Sequence, residues 1–179
     1  QGQLEEAAPL FRRALEARER TLGAEHPDTL TSVNNLAVLL HDQGQLEEAA
    51  PLYRRALEAS ERTLGAEHPD TLISVNNLAS LLQAQGQLEE AAPLFRRALE
   101  ARERTLGAEH PDTLSSVNNL ALLLQAQGQL EEAAPLYRRA LEACERTLGA
   151  EHPNTLASVN NLAGLLHLQG KLQAAAALY

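Results

Sequence analysis

Along the chain, Leu, Ala and Val recur at spacings of three and four residues, break off, and then recur again. Between Leu46 and Leu64 the apolar positions are Leu46, Ala49, Ala50, Tyr53, Ala56, Leu57 and Leu64, which fall on one stripe of an α-helix. Between Pro69 and Ala84, the residues Leu72, Val75, Leu78, Ala79 and Leu82 make a second stripe. The first stripe predicts a long helix over 45–64, stopped by Gly65 in a left-handed conformation. The second predicts a shorter helix over 69–84. It opens at Pro69, a favoured first helical residue, with Asp70 beside the positive end of the dipole. The short Gln85–Gly86 link makes the two helices antiparallel neighbours. Pro51 lies inside the long helix, where it removes a backbone bond. A continuous, slightly bent helix and a helix starting late, near Ala49, both fit. The stripe keeps its phase through the proline, which favours the first. Glu58 and Arg62, four apart, form an expected pair along the outer face.

This pattern is a repeat. The segment opening at Gly2 returns at Gly44, Gly86 and Gly128, and a fifth copy starts at Gly170. The units are therefore 2–43, 44–85, 86–127 and 128–169, with a partial unit 170–179. Each full unit has 42 residues, and the first two differ at six places. Neither helix pair can bury its stripe alone, so neighbouring pairs must stack. Residues 1–179 are expected to form one all-α solenoid of antiparallel helix pairs, a fragment of a longer array. The chain begins and ends on a lone longer helix, which should leave apolar faces such as Leu4 and Leu172 exposed for end-to-end contacts.

Composition narrows the function. Aromatic residues are 3% of the chain, with no Met or Trp, which suits a thin two-layer core of Leu and Ala. The net charge of −9 disfavours nucleic acid and anionic membrane surfaces, since both need clustered Lys and Arg. Cys144 is the single cysteine, so no internal disulfide or thiolate cluster can form, which fits a reducing, cytoplasmic setting. No apolar run reaches membrane-spanning length.

The spacing Val33–x–x–Leu36–Ala37–x–x–Leu40–x–x–x–Gly44, followed by Ala49, Tyr53 and Ala56, resembles the tetratricopeptide repeat signature. With its longer unit, its Asn-Asn-Leu-Ala segment and its Leu-Gly-x-x-His-Pro-Asp linker, the chain is similar to the 42-residue subclass of kinesin light chains. The resemblance implies a right-handed superhelix whose shorter helices line a concave, peptide-accepting groove. It also implies that an asparagine matching Asn35 bonds the ligand backbone. Two positions depart from the family pattern. Glu61 stands where a proline usually ends the second helix, and Leu40 stands where an aromatic is common.

Positions that must pack are identical in every copy, and positions that differ should face solvent or a ligand. On the shorter helix the differing sites are Thr31, Val38, His41 and Asp42, then Ile73, Ser80, Gln83 and Ala84. They continue as Ser115, Leu122, Gln125 and Ala126, then Ala157, Gly164, His167 and Leu168. Asn34–Asn35, Asn76–Asn77, Asn118–Asn119 and Asn160–Asn161 accompany them mid-helix, where Asn is a mediocre helix former. An amide both donates and accepts, so a ladder of them could hold an extended peptide backbone. Asn34 is the member expected to face the groove. Asn35 either bonds a ligand or ties the repeats together. The alternative for the whole stripe is neutral surface drift. Against drift, the longer helix differs only at Arg18, Ser60, Arg102, Cys144 and in the alternation of Phe11 with Tyr53.

In related chaperone-tail binders, groove lysines and arginines clamp a terminal carboxylate. Here the matching sites carry Thr31, Asn34, Ile73, Asn76, Ser115, Asn118 and Ala157, with no base among them. Neither that clamp nor an acidic cargo peptide is expected. The expected ligand has an extended backbone and small apolar anchors.

Catalytic and metal chemistry find no foothold. His26, His68, His110 and His152 recur with Asp28, Asp70, Asp112 and Asn154, one copy per helix-entry loop, which suits shaping a helix start better than holding a metal. Cys144 has no catalytic partner set. Glu5–Glu6 and its copies are adjacent and diverge on a helix, so they cannot face each other as acid and base. No cofactor and no enzymatic activity are expected within these residues. Three functions follow: a scaffold binding an extended peptide or protein segment, an array that self-associates end to end, or the sensor segment of a larger signalling or enzyme protein.

Overall fold

The computed structural model describes residues 2–178, with side chains from Ala7 onward. Leu4 and the Glu5–Glu6 pair therefore lie outside the described side chains. Helices alternate in length along the chain, and no strand occurs among the described residues. The long helices are α1 (Gly2–Leu22), α3 (Leu46–Leu64), α5 (Leu88–Leu106) and α7 (Leu130–Leu148). The shorter ones are α2 (Pro27–Asp42), α4 (Pro69–Ala84), α6 (Pro111–Ala126) and α8 (Pro153–Leu168), and a last short turn, α9, covers Leu172–Ala176. The long helix α3 runs without a break through Pro51. Pro51 and Glu47, whose carbonyl loses its partner, both lie on the exposed side, where water can satisfy that oxygen.

The helix ends follow from a few residues. Each short helix is entered through a histidine in extended conformation. His68 Nδ1 accepts the backbone N–H of Asp70 at 3.2 Å, and His26, His110 and His152 repeat this bond. The histidine is thus the N-cap, which requires the neutral ring with its proton on Nε2. Each short helix leaves through a Gln-Gly pair. Gly86 N–H reaches the carbonyl of Gln83 at 3.0 Å and Gln87 N–H that of Leu82 at 2.8 Å, the paired bonds of a Schellman turn. The turn needs a positive φ, and Gly86 supplies +76°. Gly65 stops α3 differently from expectation. Its φ of 96° and ψ of 161° lie beyond the left-handed helical region, in mirror-extended backbone open essentially to glycine alone.

The chain gathers into two compact units, Gln1–Leu94 and Phe95–Tyr179, the division falling inside α5. In each, the core is built largely from small and branched side chains. Val33, Ala37, Ala49 and Ala56 are fully buried in the first unit, and Val117, Ala121, Ala133 and Ala140 in the second. Tyr53 and Tyr137 are the largest buried side chains of their units. Alanines at these points let backbones approach closely, which leaves room for one aromatic ring per layer. Leu81 and Leu123 are also fully buried, a wider apolar face than the repeat stripe alone suggests.

Ion pairs tie consecutive long helices and loops on the outer face. Arg55 meets Glu19 at 2.6 Å and Arg62 meets Glu25 at 2.5 Å in the first unit. Arg139–Glu103 and Arg146–Glu109 repeat them in the second, each at 2.5 Å. Arg62 therefore reaches the preceding repeat rather than Glu58 on its own helix. Such exposed pairs contribute about 0–1 kcal/mol each, so they fix register more than they add stability.

The last repeat shows what a neighbour contributes. Leu114 is 5% exposed, clustered with Ala143 and Cys144 of the following long helix. Leu156, its counterpart, is 48% exposed, because the five-residue α9 is too short to cover it.

Candidate functional site

On α2, Thr31, Asn35, Val38 and Asp42 are exposed, at spacings of four, three and four that form one helical stripe. Their counterparts Ser115, Leu122 and Ala126 on α6, and Ala157, Gly164 and Leu168 on α8, are exposed too, with Asn119 and Asn161 half-buried between them. On α4, Ile73 and Ala84 are exposed and Asn77 and Ser80 half-buried.

Asn34 lines the first cleft, but its amide is already engaged. It is the half-buried member of its pair, and its Nδ2 donates to Ser74 Oγ at 2.8 Å, on the short helix of the next repeat. The tie between repeats belongs to Asn34, and the exposed amide belongs to Asn35. Asn76 is 8% exposed and donates to the carbonyl of Leu72 at 3.2 Å, so it does not present its amide to solvent. The Oδ1 atoms of Asn34, Asn76 and Asn118 are buried without a partner. Asn160 is exposed.

Two of the other variable residues turn toward the following long helix. His41 meets Tyr53 edge to face, with centroids 6.4 Å apart. Gln125 Oε1 accepts the Tyr137 hydroxyl at 3.2 Å. Burial raises both phenols well above their usual range, Tyr137 to about 12, and the nearby Asp42 adds to the effect at Tyr53. Gln83 is half-buried.

Each unit carries a cleft along its stripe. The first, about 280 Å3, lies between α2 and α4 over the end of α3. Its walls are Thr31, Asn34, Asn35, Val38, Ile73 and Asn77, with Ser60 and Leu64 of α3 contributing from below. The second, about 370 Å3, lies between α6 and α8 over α7. There Ser115, Asn118 and Ala157 form the walls, with Cys144 and Leu148 from α7. Ile73 in the smaller cleft and Ala157 in the larger occupy equivalent positions. Asp70 is the charged residue in the first lining and Glu109 in the second, and neither lining contains Lys, Arg or His.

Ser60 and Cys144 are the cleft-lining positions that the stripe of short helices could not reveal. Their signal was variability on long helices that otherwise differ only in the alternation of Phe11 with Tyr53. Where arginine stands there, it lies on the next short helix. Arg102 Nη1 donates to the carbonyl of Asp112 and to Ser116 Oγ, both at 2.9 Å. Arg102 is buried, and desolvation lowers its affinity for its proton against the opposing pull of Asp112. Arg18 bonds Asp28 O at 3.0 Å and Ser32 Oγ at 2.5 Å in the same way.

Among the described residues, no group of three or more His, Cys, Asp or Glu is arranged to hold a metal, and no helix is long and apolar enough to cross a membrane.

The fold and sequence find relatives among known proteins. A Tetratricopeptide repeat model matches residues 1–62, 31–104, 70–143 and 112–179. A variant of a kinesin light chain-like protein of Podosopora anserina with nearly identical TPR-like repeats is 36% identical over 99% of this chain and 84% of its own, with a TM-score of 0.86. BtubC (BKLC) from P. vanneervenii is 26% identical over 99% of this chain and 70% of its own, also at 0.86. A Rap protein complexed with competence and sporulation factor shares the fold at 16% identity and a TM-score of 0.81, over 99% of this chain and 47% of its own. No curated protein matches the sequence. Matched from one end to the other by the repeat model, this all-helical chain of 42-residue units belongs to the tetratricopeptide repeat family.

Proposed function

We propose that this chain is a non-enzymatic scaffold that binds an extended peptide or protein segment along the exposed stripe of its short helices. One observation carries the reading. Five of the residues that differ from repeat to repeat, Thr31, Val38, Ile73, Ser115 and Ala157, line the two clefts. The exposed or half-buried amides of Asn35, Asn77, Asn119 and Asn161 stand on the same stripe, each with a donor and an acceptor suited to a peptide backbone. Proteins of this family are typically interaction scaffolds, and the Rap protein above is seen with a bound factor, which supports the reading by analogy.

The linings select the ligand class. With no Lys, Arg or His in either lining, a carboxylate anchor meets no counter-charge inside the cleft. An uncharged extended segment with small aliphatic side chains fits both the amides and the apolar walls. Its affinity should change little with salt, because no charge pair carries it.

An array of 12-residue Ala/Ser peptides, each with Leu, Lys or Glu at one position, tests this. Leu-bearing peptides should bind best, and Asn35→Ala with Asn77→Ala should weaken them about tenfold, the loss of one or two backbone bonds. Binding confined to Glu-bearing peptides, or lost steeply between low and moderate salt, would contradict the reading.

A second reading rests on Leu168 and Leu172, 57% and 58% exposed beside a hollow lined by Ala163, Gly164 and His167. This apolar end suits stacking on another copy. Light scattering that stays monomeric up to high concentration would remove it.

A further inference from the structure

One position of the long helix lies at the floor of each cleft, and its residue differs among the long helices. Arg18 and Arg102 carry a long side chain whose guanidinium bonds the first turn of the next short helix. Ser60 and Cys144 carry a far smaller one, and both line an open cleft. The groups that Arg102 engages are Asp112 O and Ser116 Oγ. Their counterparts Asn154 and Ser158 line the second cleft, and Asp70, the counterpart of Asp112, lines the first. An arginine at 60 or 144 would therefore lay its side chain against the cleft wall.

Resting on the scaffold reading, we propose that this position decides whether the cleft above it accepts a ligand side chain. Ser60 and Cys144 admit one aliphatic side chain of the bound segment each, and arginine shuts the site. The occupant follows from size and charge. Volumes of about 280 and 370 Å3 lie just below and near the bottom of the roughly 300–1,000 Å3 of small-molecule clefts, which suits a side chain. The walls are Leu30, Val38, Leu64 and Ile73 in one cleft, and Leu114, Leu148 and Ala157 in the other. The Ser74 and Ser158 hydroxyls are already engaged and do not compete for the occupant. Ser74 is engaged by Asn34 at 2.8 Å, and Ser158 donates to Asn154 O at 3.0 Å.

The test uses N-acetyl-leucine N-methylamide as the probe, followed by amide chemical shifts of the whole chain. In the wild type, saturable shifts should appear around Thr31 and Ile73 and around Ser115 and Ala157. Ser60→Arg should abolish the first set and leave the second, and Cys144→Arg should do the reverse. Ser60→Leu and Cys144→Leu fill the same floor without a charge and should give the same losses, while Ser60→Ala and Cys144→Ser should keep both sets. No saturable shift in the wild type, or both sets surviving the arginine and leucine variants, overturns the proposal. The peptide array separates the two ideas. Probe binding without peptide binding removes the scaffold and keeps the selector. Peptide binding that ignores leucine and Ser60→Arg removes the selector and keeps the scaffold.

Discussion

Asn34 gives its amide hydrogen to the hydroxyl of Ser74, 2.8 Å away and forty residues further along the chain. Ser74 in turn donates to the carbonyl of Asp70 at 3.2 Å, so the bond joins the middle of one short helix to the first turn of the next. It is half-buried, where a net hydrogen bond contributes about 0.5–1.5 kcal/mol. Asn34→Ala should lower stability by about 1 kcal/mol in urea denaturation. Asn35→Ala, on the exposed stripe, should change it by less than about 0.5 kcal/mol while weakening peptide binding. Equal stability losses for the two would show that the roles of the adjacent asparagines are not divided this way.

Glycine substitutions should act with opposite signs at two sites. Gly44 holds φ at 75° with nothing near its missing Cβ, so Gly44→Ala meets no clash but carries a left-handed backbone penalty of about 1–2 kcal/mol. Gly164 sits inside α8 with open space around it, so Gly164→Ala should stabilise by about 1 kcal/mol. Thermal melts of the two variants, compared with the wild type, measure both effects.

Alkaline pH should destabilise the fold through the buried tyrosines. The Tyr137 phenol, held to about 12 by burial, loses its proton at higher pH in the folded chain than in the unfolded one, whose value is near 10. Its contribution is thus fully present below about pH 10 and disappears as pH rises toward 12, because the unfolded state ionises first. Phe95 occupies the equivalent place in another repeat, so Tyr137→Phe should fold well and flatten this part of the profile. A stability curve between pH 9 and 12 that is identical for wild type and variant would refute the assignment.

The histidine caps can be removed one at a time. His68→Ala deletes the acceptor of the Asp70 N–H and should cost about 1 kcal/mol, while His68→Ser or His68→Asp should restore most of it. Chemical denaturation of the three variants reads the order directly. A loss unaffected by the serine or aspartate would mean that packing of the imidazole, not capping, is what matters.

What the sequence determined by itself was everything that depends on local or repeated chemistry. The 42-residue period, the helix boundaries at Pro69 and Ala84, the continuous passage through Pro51, the Gln-Gly turns and the Val33–Ala37 core are written in short windows, because propensity, capping and periodicity act over one or two turns. Tertiary packing alone decided between neighbours that no window distinguishes. Asn34 and Asn35 are the same residue on the same helix, about 100° apart, and only the approach of the next short helix gives one to Ser74 and leaves the other to solvent. Arg62 likewise chose Glu25 over Glu58 because the preceding loop comes within its reach. Ser60 and Cys144 became the floor of a cleft only when two short helices opened above a third element, a three-body geometry that no linear pattern encodes.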